Sequence, residues 1–98
     1  MAKISNTHST QSNEAREIIG ILRKSDGVSK ITRGPIARCR PIGKKRVKIV
    51  RMSGGYQLKI RGGNTVQSIM VYSKSSDTMF SLETMVRNLG YELGEMEC

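Results

Sequence analysis

Two stretches of the chain place apolar residues at the spacing of an amphipathic helix, i, i+3, i+4 and i+7. The first stripe, within residues 13–25, consists of Ala15, Ile18, Ile19 and Leu22. The second stripe consists of Leu82, Met85, Val86 and Leu89. Gly27 and Gly90 follow the two stripes, where a left-handed glycine commonly ends a helix. The pattern therefore predicts one helix near each end of the chain.

The middle of the chain alternates apolar and polar residues, as half-buried β-strands do. Three such segments cover residues 46–52, 56–61 and 65–72. The turns between them are predicted at Ser53-Gly54-Gly55 and Gly62-Gly63-Asn64. The third segment ends in residues that are apolar on both faces, which is typical of a central strand. An antiparallel meander of three strands is the simplest interpretation.

The flanking segments leave alternatives open. Residues 28–43 contain Pro35 and Pro41, and each proline removes a backbone donor from a strand ladder. We expect either an edge strand or an ordered loop there, with a turn at Gly34-Pro35. Tyr91 and Leu93 alternate like a short strand.

These elements predict an α+β fold, a two-layer sandwich with a mainly antiparallel sheet of three to five strands and both helices on one face. Residues 1–12 form a flexible polar arm in this interpretation, and residues 13–98 form a single domain. We expect Leu22 and Leu89 to share one core. The helix-bearing face of the sheet would carry Val47, Ile49, Tyr56, Leu58 and Ile60. The open face would carry Arg46, Lys48, Gln57, Lys59 and Arg61.

The distribution of charge along the chain indicates the class of binding partner. The formal net charge is +9, and no Asp or Glu occurs between Gly27 and Ser76. A positive block of this kind concentrates polyanions, and phosphate backbones bind to it with release of counterions. The candidate nucleic-acid-binding residues lie on the open face and in the preceding loop: Arg38, Arg40, Lys44, Lys45, Arg46, Lys48, Lys59 and Arg61. The alternative is a solvated face that protects the sheet from aggregation.

Aromatic residues are few, which favours contacts to the nucleic-acid backbone over base readout. Tyr56 alternates with the core positions and is expected to pack inside. Tyr72 is the better candidate for a base contact.

Other classes of function lack the residues they need. The only soft metal ligands are His8, Cys39 and Cys98, which share no zinc-site spacing. With one histidine and no acids in the basic block, no acid–base pair is available, so we expect neither an enzyme nor a cofactor. No apolar run is long enough to span a bilayer. Two cysteines are too few for a disulfide framework and fit a reducing compartment, so we expect a cytoplasmic protein.

The order of segments resembles a family of small archaeal and bacterial proteins of uncharacterised function, some of them labelled predicted metal-binding. The matching features are His8-Ser9-Thr10, a helix, a Gly-Pro turn, a basic strand, the Gly54-Gly55 hairpin and the strand from Val66 to Tyr72. The resemblance implies an archaeal or bacterial setting, and the family label implies metal.

The leading hypothesis is a non-enzymatic module that binds RNA or DNA through the basic face. The alternative is an interaction subunit that docks an acidic protein or self-associates, and metal binding comes third.

Overall fold

The computed structural model describes residues 13–73, 75 and 77–96, so the predicted arm at residues 1–12 lies outside the described residues. The elements follow in the order α1 (Asn13–Arg23), β1 (Val28–Arg38), β2 (Arg46–Met52), β3 (Gly55–Gly62), β4 (Thr65–Ser73), α2 (Thr78–Asn88) and β5 (Glu92–Leu93). Both predicted helices and the predicted meander are present.

The five strands form one sheet in the order β1-β4-β3-β2-β5. All neighbouring pairs are antiparallel except β2 and β5, which are parallel. The α+β class and the mainly antiparallel sheet are thus confirmed, and β5 is the short strand suggested by Tyr91 and Leu93. Strand β4 lies between β1 and β3, as its apolar second half predicted.

Strand β1 differs from the expectation. Residues 28–38 form a single edge strand of 11 residues, whereas Gly34-Pro35 was predicted to turn the chain. The register with β4 shifts between Arg33 and Ile36, so Gly34-Pro35 forms a β-bulge. A bulge leaves a residue unpaired, and the proline therefore costs no ladder hydrogen bond. A Cβ on Gly34 would lie only 3.2 Å from the Cβ of Ser68, which suits glycine to this close approach.

The end of α2 is fixed by backbone hydrogen bonds. Gly90 has a positive φ of 88°, and its N–H donates to the carbonyl of Arg87. The N–H of Tyr91 donates to the carbonyl of Val86. This pair of bonds is the Schellman motif, which directs the chain from α2 straight into β5.

The core lies between the helices and one face of the sheet. It includes the predicted stripe of α1 and the residues Val47, Tyr56, Leu58, Ile60, Ile69, Val71, Leu82 and Val86. Leu22 is 2% exposed, as expected for a core residue. Leu89 packs against the core but is only partly buried, because it occupies the C-cap of α2.

We predict that Leu82→Ala destabilises the protein by about 2–5 kcal/mol, because the removed methyl groups leave a cavity among fully buried neighbours. Leu89→Ala should cost clearly less. Phe80→Ala is the control, since this side chain is 72% exposed on the same helix and should have little effect. Urea unfolding followed by circular dichroism measures all three variants. Equal losses for Leu82 and Leu89 would contradict this assignment of the core.

Candidate functional site

The strand register arranges the side chains of the open face in four rows across the sheet. Directly paired residues share a face, so the register alone defines each row. The two rows nearest the β2–β3 turn are Lys30–Tyr72–Gly55–Met52 and Thr32–Met70–Gln57–Val50. The next two rows contain Ser68–Lys59–Lys48 and Ala37–Val66–Arg61–Arg46, and Glu92 of β5 extends the last row. One half of the face is therefore mainly apolar and the other half is basic.

Four cations of the basic half form a block on two adjacent strands, which we call the cation quartet: Arg46, Lys48, Lys59 and Arg61. Lys48 pairs directly with Lys59, and Arg46 pairs directly with Arg61. Directly opposed residues of an antiparallel pair have Cβ atoms about 4.5–5.5 Å apart, and like charges at this distance are destabilising. The quartet thus places two repulsive pairs side by side in the middle of the sheet.

The C-terminal segment supplies carboxylates to one side of the quartet. Arg46 Nη2 donates to Glu92 Oε1 at 2.9 Å, and Arg46 Nη1 donates to the backbone carbonyl of Glu95 at 2.8 Å. Lys48 Nζ donates to Glu95 Oε1 at 2.8 Å, and Lys44 Nζ lies 3.5 Å from Glu92 Oε2. The N–H of Glu92 donates to the carbonyl of Lys45, and the N–H of Gly94 donates to the carbonyl of Val47, so this segment is fixed along β2.

The charges of these contacts act on the titration of Glu92. The hydrogen bond from Arg46, together with the nearby ammonium of Lys44, holds the pKa of the Glu92 carboxyl below its ordinary value. Glu92 therefore stays ionised at neutral pH and keeps a negative charge beside the quartet.

Arg61 differs from the expectation of an exposed cation. It lies on the open face by register but is only 3% exposed. The segment of residues 39–45, which crosses the end of the sheet from β1 to β2, covers it, and Arg61 Nη2 donates to the carbonyl of Arg40. Backbone bonds from Cys39 to Asn64 and from Ile42 to Gly63 hold this segment against the β3–β4 turn.

The loop candidates do not all join the quartet. Arg38 pairs with Thr65 in the register, which puts it on the helix-bearing side of the sheet. Lys45 Nζ lies 5.7 Å from the centroid of the Tyr91 ring, a cation–π contact at the edge of the core. Burial and the charges of Glu14 and Glu17 raise the pKa of the Tyr91 hydroxyl, so it stays protonated. Arg40 and Lys44 are exposed beside the quartet.

Lys30 and the two acids of the C-terminal segment were missed as site residues. Lys30 alternates with Ile31, which would place it on the open face of a strand. The sequence did not decide whether this segment is a strand or a loop, so the alternation could not be used. Glu92 and Glu95 carried no signal, because contacts across more than 40 residues depend on the position of β5.

Lys59 is the quartet member that has no ion-pair partner among residues 13–73, 75 and 77–96. Its side chain is half-buried between Lys48 and Ser68 in the row. An anion that approaches the face therefore meets an ammonium group without first displacing a carboxylate from it.

Cys39 corrects the expectation from cysteine content. The small number of cysteines, two, predicts a reducing compartment, but Cys39 is disulfide-bonded in the structure. Its sulfur is therefore not available as a thiolate nucleophile or metal ligand in this state.

The comparison with protein families places residues 1–89 in the family described as predicted metal-binding protein (DUF2103), and the chain belongs to this family. The resemblance seen in the sequence is thus confirmed. The comparisons with curated proteins and with solved structures give no match. In the described part of the chain, neither helix has the length and apolar character needed to cross a membrane.

The family description implies a metal, and a metal site needs several donor side chains close together. Among the described residues, no three His, Cys, Asp or Glu side chains lie together as a metal would require. Cys39 is held in its disulfide, and Glu92 and Glu95 are held by cations. His8 and Cys98 lie outside the described residues. The donor set in the described ranges does not fit a metal site.

We predict that Arg46→Gln raises the pKa of Glu92 towards the ordinary glutamate value, because the guanidinium no longer stabilises the carboxylate. A pKa that is lowered on folding adds stability at neutral pH, which is lost as the pH falls through the folded-state pKa. Arg46→Gln should remove this part of the acid sensitivity. Carbon-detected NMR titration of the Glu92 carboxyl measures the shift. Arg51→Gln removes the same charge at the far end of β2 and should leave Glu92 unchanged; an equal shift in both variants would contradict the direct contact.

Proposed function

We propose that this member of the predicted metal-binding family is a non-enzymatic nucleic-acid-binding module. Phosphates would bind on the open face of the sheet to Arg46, Lys48 and Lys59 of the quartet and to the exposed residues Lys30, Arg40 and Lys44. The buried Arg61 would add its charge without direct contact. Contacts to phosphates position a nucleic acid without reading its sequence, so we expect affinity with little sequence preference.

The observation that carries this proposal is the direct opposition of like charges in the quartet. Each opposed pair costs stability, because like charges directly opposite each other on neighbouring strands are destabilising. Polar uncharged residues would keep the same face solvated without this cost. A bound polyanion removes the repulsion and releases its own counterions at the same time.

The acidic C-terminal segment would compete with a nucleic acid for the same cations. The carboxylates of Glu92 and Glu95 occupy Arg46 and Lys48 in the way that phosphate oxygens would. The exposed fraction of these four side chains ranges from 32% for Lys48 to 83% for Glu95, and ion pairs between such exposed groups are weak. A nucleic acid with many phosphates can therefore displace the two carboxylates.

A second candidate rests on the same contacts. Because the quartet already accepts carboxylates from its own chain, an acidic protein surface is an alternative ligand. Competition between an oligonucleotide and poly-glutamate of equal charge separates the candidates. Nucleic acid as the ligand predicts that the oligonucleotide binds more tightly, whereas tighter binding of poly-glutamate would favour the acidic protein.

We predict that replacing Lys30, Lys48 and Lys59 together by Gln flattens the dependence of log K on log salt by about 2 units on single strands, at about 0.7 per phosphate contact. The matched control is Arg16, Arg23 and Arg87 replaced by Gln, because these exposed residues lie on the helices and carry the same total charge. Filter binding from low to moderate salt measures both slopes. Equal flattening in the two triple variants would place the binding outside the open face, and a folded wild-type protein that binds no nucleic acid at low salt would refute the function.

We also predict that Glu92→Gln with Glu95→Gln strengthens nucleic-acid binding several-fold at low salt, because it removes the resident carboxylates. Glu17→Gln with Glu83→Gln changes the net charge equally, on the helices, and should have a smaller effect. Fluorescence anisotropy of a labelled oligonucleotide measures the affinities. A gain no larger than that of the control pair would mean that the C-terminal segment does not compete.

A further inference from the structure

We infer that the nucleic acid on the open face is single-stranded and that the ring of Tyr72 stacks on one of its bases. The inference rests on the proposed function and adds the ligand class and a base-contacting residue. It depends on the apolar half of the face, which phosphate binding alone does not explain.

Tyr72 has few neighbouring side chains in its row across the sheet. On its β3 side the row continues with Gly55, which has no side chain, and on its β1 side with Lys30, whose side chain is exposed. Gly55 is required there by the backbone itself, since a Cβ would collide with the carbonyl oxygen of Val71. The ring, which is partly exposed, therefore has no neighbouring side chain from β3 in its row, and Lys30 occupies the adjacent position on β1.

The other two tyrosines are not available for this role. Tyr56 is 6% exposed and Tyr91 is 4% exposed, and both belong to the core. Phe80 is exposed, but it lies on α2 in the helix layer. Among the described residues, Tyr72 is thus the aromatic side chain that the open face presents.

The arrangement of the rows suits a single strand. Residues two apart on a strand are separated by about 6.8 Å, so the Tyr72 row and the Lys59–Lys48 row lie about 14 Å apart along the sheet. A single strand that crosses these rows places phosphates on the lysines while a base covers Tyr72 and Met70. Stacking of this kind tolerates any base, because every base has a π-face.

A duplex fits the same face less well. Its bases are stacked on each other and paired, so only their edges are accessible, and a broad sheet face does not enter a groove as a helix or a narrow ribbon does. A duplex would contact the quartet with its phosphates and leave the apolar half, with Met52 41% exposed, in water.

Intrinsic fluorescence provides a direct test, because the chain has three tyrosines and no tryptophan. Oligo(dT) and oligo(rU) of about 12 nucleotides, within the usual range of single-strand site sizes, are titrated into the full chain. Stacking on Tyr72 should quench the tyrosine emission on saturation, and Tyr72→Phe should abolish the quenching while keeping the affinity. A duplex of the same length serves as the comparison, and the two oligomers separate DNA from RNA.

Binding measured by anisotropy gives the second readout. Tyr72→Leu should weaken single-strand binding by at least about fivefold, the lower end of what one stacked base contributes. The salt slope should stay unchanged, because no charge is lost. Phe80→Leu removes an exposed aromatic from the helix layer and should leave binding unchanged.

The outcomes separate this inference from the proposed function. Binding with a normal salt slope but no quenching, together with wild-type affinity in Tyr72→Leu, would overturn the stacking and leave the function standing. Duplex binding as tight as single-strand binding would overturn the choice of ligand. No binding of any oligonucleotide would overturn both. If Tyr72→Leu fails to fold, the wild-type and Tyr72→Phe fluorescence still decides the outcome.

Discussion

The repulsion between directly opposed cations on β2 and β3 is the constraint on which the rest of the open face depends. Lys48 faces Lys59 and Arg46 faces Arg61, so these pairs lower the stability of the sheet unless other groups offset the repulsion. The C-terminal segment and the segment of residues 39–45 both supply such groups. Carboxylates from the former neutralise Arg46 and Lys48, and a backbone carbonyl from the latter accepts a bond from Arg61.

The groups that offset the repulsion differ in whether another anion can replace them. Arg61 is buried, and the loop over it is fixed by backbone hydrogen bonds, so its charge is part of the folded structure. The carboxylates of Glu92 and Glu95 are exposed and are held by surface ion pairs, which salt or a stronger anion displaces. Arg61 therefore contributes a constant positive charge to the open face. Arg46 and Lys48 can exchange their carboxylate partners for other anions, and we propose that phosphates bind there.

The sequence predicted the fold well where the signal was local. Helical stripes such as Ala15 to Leu22 and alternation in β3 predicted the elements, the core and the basic open face. Bulges are poorly visible in such patterns, because one extra residue reverses the alternation, and Gly34-Pro35 was therefore interpreted as a turn. Lys30 was missed as a result of that ambiguity.

The parts of the site that depend on distant contacts were not predictable. The burial of Arg61 follows from the path of residues 39–45, and the ion pairs of Glu92 and Glu95 follow from the parallel pairing of β5 with β2. The disulfide of Cys39 was not predictable from the number of cysteines, because disulfide formation depends on geometry in the fold.

The most direct test of the central claim is the location of the binding surface, measured by amide NMR shifts during titration with an oligo(dT) single strand. The account predicts that the shifts concentrate on β2 and β3 around the cation quartet, extend to Tyr72, and include Glu92 and Glu95 as their carboxylates are displaced. Shifts confined to α1 and α2, or an unchanged spectrum at low salt with the protein folded, would contradict it.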